Sequence, residues 1–153
     1  MTQMPPLNDL YREIVMDHYR TPRNRGELPT PPAQRADGHN PLCGDEISVY
    51  VLINGDVIED IKLTGHGCSI SQASSSMMSA AVKGRSLEQT RELVARFKEL
   101  MTSETADSSD QALRELGEIA ALSGVSKFPV RIKCATLAWN TLTQALDDAP
   151  QQG

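Results

Sequence analysis

The clearest candidates for chemistry in this sequence are three cysteines and one aspartate: Cys43, Asp45, Cys68 and Cys134. Cys43-Gly44-Asp45 presents a thiol and a carboxylate on alternate residues of one segment, and Gly44 lets the backbone turn close to an ion. Zinc sites commonly combine four such ligands in a tetrahedron. The residue types and their spacing therefore favour a metal site.

Each of these residues also has an ordinary structural interpretation. A lone cysteine is often a small buried apolar residue, and Asp45 by itself would be a turn residue before a strand. The cysteines, however, stand beside Gly, Ser, Pro or charged residues rather than inside apolar runs. In a reducing compartment structural disulfides are disfavoured, so we expect free thiols or metal ligands.

The histidines offer an alternative fourth ligand. His66 lies two residues before Cys68, and imidazole is a common zinc ligand, although His66 also fits a loop residue bonded to backbone. His18 lies on the apolar face of a predicted helix and is expected in the core. His39 lies in an irregular segment, where it would cap a turn. The residue pattern alone leaves Asp45 and His66 both open.

Length, composition and charge limit the class of protein. The chain has 153 residues, 39% hydrophobic and 23% charged, which predicts one globular domain over residues 1–153. A net charge of -5 disfavours nonspecific nucleic-acid binding. The N-terminus lacks a signal pattern, and no apolar run approaches the roughly 20 residues of a membrane span, so we expect a cytoplasmic protein.

A β-hairpin is predicted to bring the first ligands together. Alternating apolar residues from Glu46 onward, then Asn54-Gly55-Asp56, predict two strands joined by a three-residue loop with Gly55 at positive φ. That loop would pair Val49 with Ile61 and Ile47 with Leu63. Extended past the strands, the same register predicts Asp45 opposite Gly65 and Cys43 opposite Gly67.

Helices should surround this hairpin. Apolar spacing predicts a first helix over residues 7–20 and an irregular, proline-rich arm over 23–40. A helix over about 69–83, capped by Ser69 or Ser71, would place Cys68 at its start. Ser86 and Gln89 form a capping-box pattern before the next helix. A further helix is predicted by the apolar stripe of Leu113, Leu116, Ile119 and Leu122. The last predicted helix covers about 130–147 and has Cys134 in its opening turns.

Ordered motifs over nearly the whole chain resemble the U-type iron-sulfur assembly family, and its SufU branch more than its IscU branch. The matching segments are Tyr11, Asp17-His18-Tyr19, Pro22-Arg23-Asn24, Gly26, Asn40-Pro41-Leu42-Cys43-Gly44-Asp45, Gly65-His66-Gly67-Cys68-Ser69-Ile70-Ser71, Ala73-Ser74-Ser75-Ser76-Met77-Met78, Lys83-Gly84 and residues 131–139. The resemblance implies an α+β fold, with a small three-stranded antiparallel sheet covered by helices. It also implies a third strand from the arm before Cys43 and a helical insertion around 91–110.

The same resemblance implies a function. Cys43, Asp45, Cys68 and Cys134 would bind Zn²⁺, and Cys43 would accept persulfide sulfur. The donor would be a SufS-type cysteine desulfurase, and a SufBCD-type scaffold complex would act downstream. No nucleic acid or membrane is expected as a partner.

Two departures from the IscU branch bear on this interpretation. Lys133 stands where IscU-type chains carry a histidine, and Phe128-Pro129-Val130-Arg131 replaces their chaperone-recognition segment. Lys133 weakens the case for a cluster scaffold of IscU type, and the segment that begins at Phe128 is not expected to serve chaperone recognition. A scaffold and a purely structural zinc adaptor nevertheless remain the alternatives.

Overall fold

The computed structural model describes residues 7–41, 44–102 and 117–148. Its elements in chain order are α1 (Leu7–Arg20), β1 (Gln34–Asn40), β2 (Asp45–Asn54), β3 (Val57–His66), α2 (Ser69–Val82), α3 (Leu87–Thr102), a 3₁₀ helix (Gly117–Lys127) and α4 (Pro129–Asp148). The α+β architecture is confirmed. Among the described residues, no helix is both long and apolar enough to cross a membrane.

The sheet has three antiparallel strands in the order β1-β2-β3. Its first strand comes from the arm before Cys43, as the resemblance implied. Ala36 pairs with Val49, which in turn pairs with Leu63, and all three side chains are buried on the inner face. The alternate positions are mostly polar, with Tyr50 and Leu52 as the apolar exceptions on β2. The inner face is covered by α4, which packs on β1 and β2, and by α2, which packs on β3.

The hairpin register differs from the predicted one by two residues. The turn contains only Gly55 and Asp56, with Gly55 at φ 65°, and Val49 lies opposite Leu63 rather than Ile61. A register shift beside Leu52 adds one further residue to β3. Because side chains alternate with a period of two, a two-residue error keeps the side chains beyond this shift on their predicted face, whereas between the shift and the turn the pairing differs by one residue.

Helix α2 is the central helix of the fold. It packs against α1 and α4, and its serines bond to both neighbours. The Ser74 hydroxyl donates to the Ala135 carbonyl (2.6 Å) and accepts from Trp139 Nε1 (3.0 Å). Ser76 Oγ lies 2.8 Å from Nδ1 of the buried His18. These bonds satisfy polar groups that would otherwise be costly to bury.

The predicted cap of α2 is wrong, and the predicted cap of α3 is confirmed. Cys68, not Ser69 or Ser71, is the N-cap of α2, and its side chain makes no capping bond. The capping box before α3 is confirmed. The Gln89 backbone amide donates to Ser86 Oγ at 3.1 Å, and the Ser86 backbone amide donates to the side-chain Oε1 of Gln89 at 3.2 Å.

The helix predicted from the apolar stripe between Leu113 and Leu122 is described only in part. Ile119 and Leu122 are buried in the 3₁₀ helix, whereas Leu113, Leu116 and residues 103–110 of the expected insertion lie outside the described residues.

Candidate metal centre

Three of the predicted ligands meet at one end of the sheet. Asp45 is the first residue of β2, Cys68 precedes α2, and Cys134 is the sixth residue of α4. One ligand atom from each, two sulfurs and a carboxylate oxygen, lie within 4.8 Å of one another. Cys43, the remaining predicted ligand, lies outside the described residues. The fold thus collects donors from three distant segments of the chain.

The Asp45 carboxylate shows that this cluster suits a cation. Asp45 is fully buried, and its Oδ1 accepts a hydrogen bond from the Cys68 backbone amide at 2.9 Å. Its Oδ2 is also buried, and no hydrogen-bond partner for it exists among the described residues. A buried carboxylate oxygen without a partner is costly, whereas a bound metal ion would satisfy it. Two thiols and a carboxylate are also a donor set that divalent zinc accepts.

A glycine makes room for this carboxylate. A Cβ on Gly67 would lie 2.5 Å from Asp45 Oδ1, closer than real side-chain carbons approach. Gly67 does not have a positive φ, so the close approach, and not the backbone angle, excludes a side chain. The absence of a side chain therefore lets the segment before α2 lie directly against Asp45.

The described thiols differ in exposure and in hydrogen bonding. Cys134 is 1% exposed, whereas Cys68 is half-buried. Asn40 Nδ2 donates a hydrogen bond to Cys134 Sγ at 3.8 Å, within a buried contact between β1 and α4. Asn40 is also the cross-strand partner of Asp45. The end of the sheet therefore provides one candidate ligand, Asp45, and one side chain, Asn40, that donates a hydrogen bond to a second candidate ligand, Cys134.

The histidines lie away from the candidate ligands. His66 has a side chain 74% exposed, and its Nε2 lies 3.3 Å from Glu46 Oε2. His18 is a bonded core residue, as expected. His39, expected to cap a turn, instead lies in β1 opposite Glu46. No histidine joins the cluster within the described part of the chain.

Resolved pKa shifts of carboxyl groups occur outside the cluster. The hydrogen bond from Ser48 Oγ (2.6 Å) is the largest cause that lowers the pKa of Asp37 on the outer sheet face. The Arg23 guanidinium, 2.6 Å from Asp17 Oδ2, lowers the pKa of that carboxyl on α1. Both are exposed ion-pair or hydroxyl contacts, which stabilise proteins only modestly.

Two contributors to the site had no assigned role in the sequence analysis. Gly67 and Asn40 both lie in the recognised motifs, but their contacts depend on register and on the position of α4. One signal for Asn40 was available. It occupies the inner-face alternation of Ala36 and Gly38, where an apolar residue is expected, so a polar residue there calls for a partner.

Fold and site together define a small α+β protein with a thiol and carboxylate cluster suited to a metal ion. The NifU-like N-terminal domain model matches residues 10–135, and the chain belongs to that family.

Named relatives span nearly the whole chain. It is 46% identical over 140 residues to the zinc-dependent sulfurtransferase SufU of Bacillus subtilis strain 168, covering 92% of this chain and 91% of that one. It is also 46% identical over 140 residues to the iron-sulfur cluster assembly scaffold protein IscU of Streptococcus pyogenes serotype M1, covering 92% and 84%.

Solved structures share the fold. An iron-sulfur cluster assembly scaffold protein for the SUF system from Fervidobacterium islandicum AW-1 superposes with a TM-score of 0.78 at 33% identity. That match covers 88% of this chain and 94% of the other. The N-terminal part of a NifU-like protein from Brucella abortus, at 21% identity, has a TM-score of 0.79, covers 96% and 99%, and supports the fold alone.

Proposed function

We propose that this protein is a zinc-dependent sulfur acceptor that takes persulfide sulfur from a SufS-type cysteine desulfurase for iron-sulfur cluster assembly. The observation that carries the proposal is the convergence of Asp45, Cys68 and Cys134, with ligand atoms within 4.8 Å. The B. subtilis relative named a zinc-dependent sulfurtransferase supports the choice of metal and reaction.

Cys43 completes the proposed ligand set and is the proposed sulfur acceptor. It precedes Asp45 by two residues, so chain connectivity alone keeps their Cα atoms within about 7 Å. A bound zinc ion would hold the cysteine ligands as thiolates near neutral pH without redox chemistry of its own. Asp45 would supply the carboxylate ligand, and His66 would supply none.

The transfer step is a thiol-persulfide exchange. The Cys43 thiolate attacks the outer sulfur of the partner's persulfide, so that a new sulfur-sulfur bond forms on Cys43. The sulfur-sulfur bond in the donor breaks, and its electron pair leaves with the partner's cysteine as a thiolate. The outer sulfur keeps its oxidation state, so the step needs no additional oxidant or reductant.

The surroundings of the other two cysteines favour Cys43 for this step. Cys134 is almost completely buried between α4 and the sheet, where a protein-bound persulfide cannot reach it. Cys68 is half-buried, and its backbone is fixed by the hydrogen bond to Asp45 and by its position as the cap of α2. The described thiols therefore suit a supporting role.

Exposed apolar residues next to the cluster support docking of a protein partner. Phe128 and Val130 are 62% and 61% exposed at the beginning of α4, and Cys134 follows Val130 by one helical turn. Exposed apolar groups often mark interaction surfaces. We assign this surface to the desulfurase, and we propose that a SufBCD-type complex in the cytoplasm receives the sulfur.

Metal analysis combined with desulfurase turnover tests the proposal. We expect one zinc per chain as isolated and faster turnover of a SufS-type desulfurase on cysteine when the protein is added. A Cys43→Ser variant should remove the stimulation. An iron-sulfur cluster in the isolated protein would favour the scaffold function. Bound zinc without any effect on turnover would favour a structural adaptor.

A further inference from the structure

Asn40 is a polar residue on the inner face of the sheet, where buried positions are usually apolar. It is the last residue of β1, on the same face as the buried Ala36, and it is only 6% exposed. A buried amide is costly unless it is hydrogen-bonded. Its side-chain amide donates to the sulfur of Cys134, which lies 94 residues further along the chain.

This hydrogen bond distinguishes the two described thiols. Cys134 Sγ accepts from an amide N–H, whereas within the described part of the chain no side chain donates to Cys68 Sγ. The geometry thus separates a buried, hydrogen-bonded sulfur from a half-buried one.

The chemical consequence follows from the charge on sulfur. An N–H donor takes up part of the negative charge of a thiolate, which makes the sulfur a weaker nucleophile and favours its charged, ligating form. Groups that hydrogen-bond metal ligands orient them and tune the site, and their loss typically costs 10–100-fold in metal affinity or activity.

We propose that Asn40 is a positioning residue that holds Cys134 as a permanent ligand and keeps it out of sulfur transfer. The inference rests on the proposed function, because it assigns unequal roles to the cysteines of that site. Asn40 contacts neither the donor nor the transferred sulfur, and it acts only through Cys134.

Cobalt substitution and thiol alkylation test the proposal without any partner. Asn40→Leu removes the donor at similar volume, and we expect the sulfur-to-cobalt charge-transfer band of the Co²⁺-loaded variant to move to longer wavelength. Its Co²⁺ affinity should fall at least about tenfold. Iodoacetamide should also alkylate Cys134 several-fold faster relative to Cys68, as located by mass spectrometry.

Thr141→Val is the matched control. Thr141 lies on α4 beside Gly38, at the same contact between β1 and α4, but its hydroxyl donates to the Leu137 carbonyl rather than to a cluster atom. This variant should weaken the interface while leaving the cobalt band and the alkylation ratio unchanged. If Asn40→Leu does not fold, Asn40→Ala removes the same donor without added bulk.

A measurement on the unmodified protein provides a second test. When the protein is loaded with a spin-half cadmium isotope, the Asn40 side-chain amide protons should show scalar coupling to the metal through Cys134 Sγ. Absence of this coupling, or a cobalt band that Asn40→Leu and Thr141→Val leave equally unchanged, would overturn the role of Asn40. Failure of the unmodified protein to accept sulfur would instead refute the proposed function.

Discussion

The burial of Asp45 determines much of the chemistry available at this site. One carboxylate oxygen accepts a backbone amide, and the other has no partner among the described residues. An ionised carboxylate in such a position is stabilised by a cation far more than an exposed one would be. His66, in contrast, is exposed and lies beside Glu46, so a metal at the cluster would not stabilise its side chain.

Substitution of Asp45 should therefore affect metal binding far more than substitution of His66. Asp45→Ala should weaken zinc binding strongly, by at least about tenfold, because it removes a ligand from a site that depends on four. His66→Ala should leave zinc affinity nearly intact. Competition with a chromogenic chelator measures both affinities. The reverse ranking would show that His66, not Asp45, is the fourth ligand.

Among the elements, the hairpin and the segment before α2 control the position of the ligands. Gly67 lies against the Asp45 carboxylate, and Gly38 lies against Thr141 of α4. Both glycines permit close packing without a positive φ. They differ in what they approach, since only Gly67 contacts a candidate ligand.

This difference predicts separable effects of two similar substitutions. Gly67→Ala should lower zinc affinity because the new Cβ displaces Asp45 from the cluster. Gly38→Ala should lower the free energy of unfolding by about 1–3 kcal/mol through overpacking, with zinc stoichiometry unchanged. Chemical denaturation and metal titration of both variants provide the measurements. Equal zinc affinity in the two variants would argue against the steric role of Gly67.

The sequence predicts the elements better than their exact alignment. The bounds of α1 and the capping box before α3 follow from local spacing and side-chain chemistry, and both are observed. The predicted hairpin register was wrong because the apolar alternation reveals neither the length of the turn nor an extra residue in a bulge. Ile58 and Ile61 are both fully buried although three positions apart, and that break in the period of two marks the extra residue in β3.

At the scale of the whole molecule, the candidate site joins β2, α2 and α4. Its described members are separated by 23 residues between Asp45 and Cys68 and by far more before Cys134. Sequence spacing and resemblance predicted these members. The contacts of Asn40 and Gly67 could not be predicted, since they depend on how α4 and the loop pack against the sheet.

A metal that joins distant segments should contribute to folding. Removing zinc with a chelator should lower the melting temperature, because the free energy of binding such a site is coupled to the folded state. Cys134→Ser and Cys68→Ser should abolish tight zinc binding and melt near the temperature of the chelator-treated protein. Differential scanning calorimetry with and without added zinc measures this effect. Unchanged melting after verified metal loss would contradict it.

The cysteine that carries the transferred sulfur identifies the acceptor thiol. The unmodified protein and its Cys43→Ser, Cys68→Ser and Cys134→Ser variants would each be incubated with a SufS-type desulfurase and cysteine, and the persulfide located by mass spectrometry. We predict that the added sulfur is found on Cys43, and that Cys43→Ser remains folded but neither accepts sulfur nor stimulates turnover. Sulfur found on Cys68 or Cys134, together with stimulation by Cys43→Ser, would contradict the role of Cys43 as the acceptor.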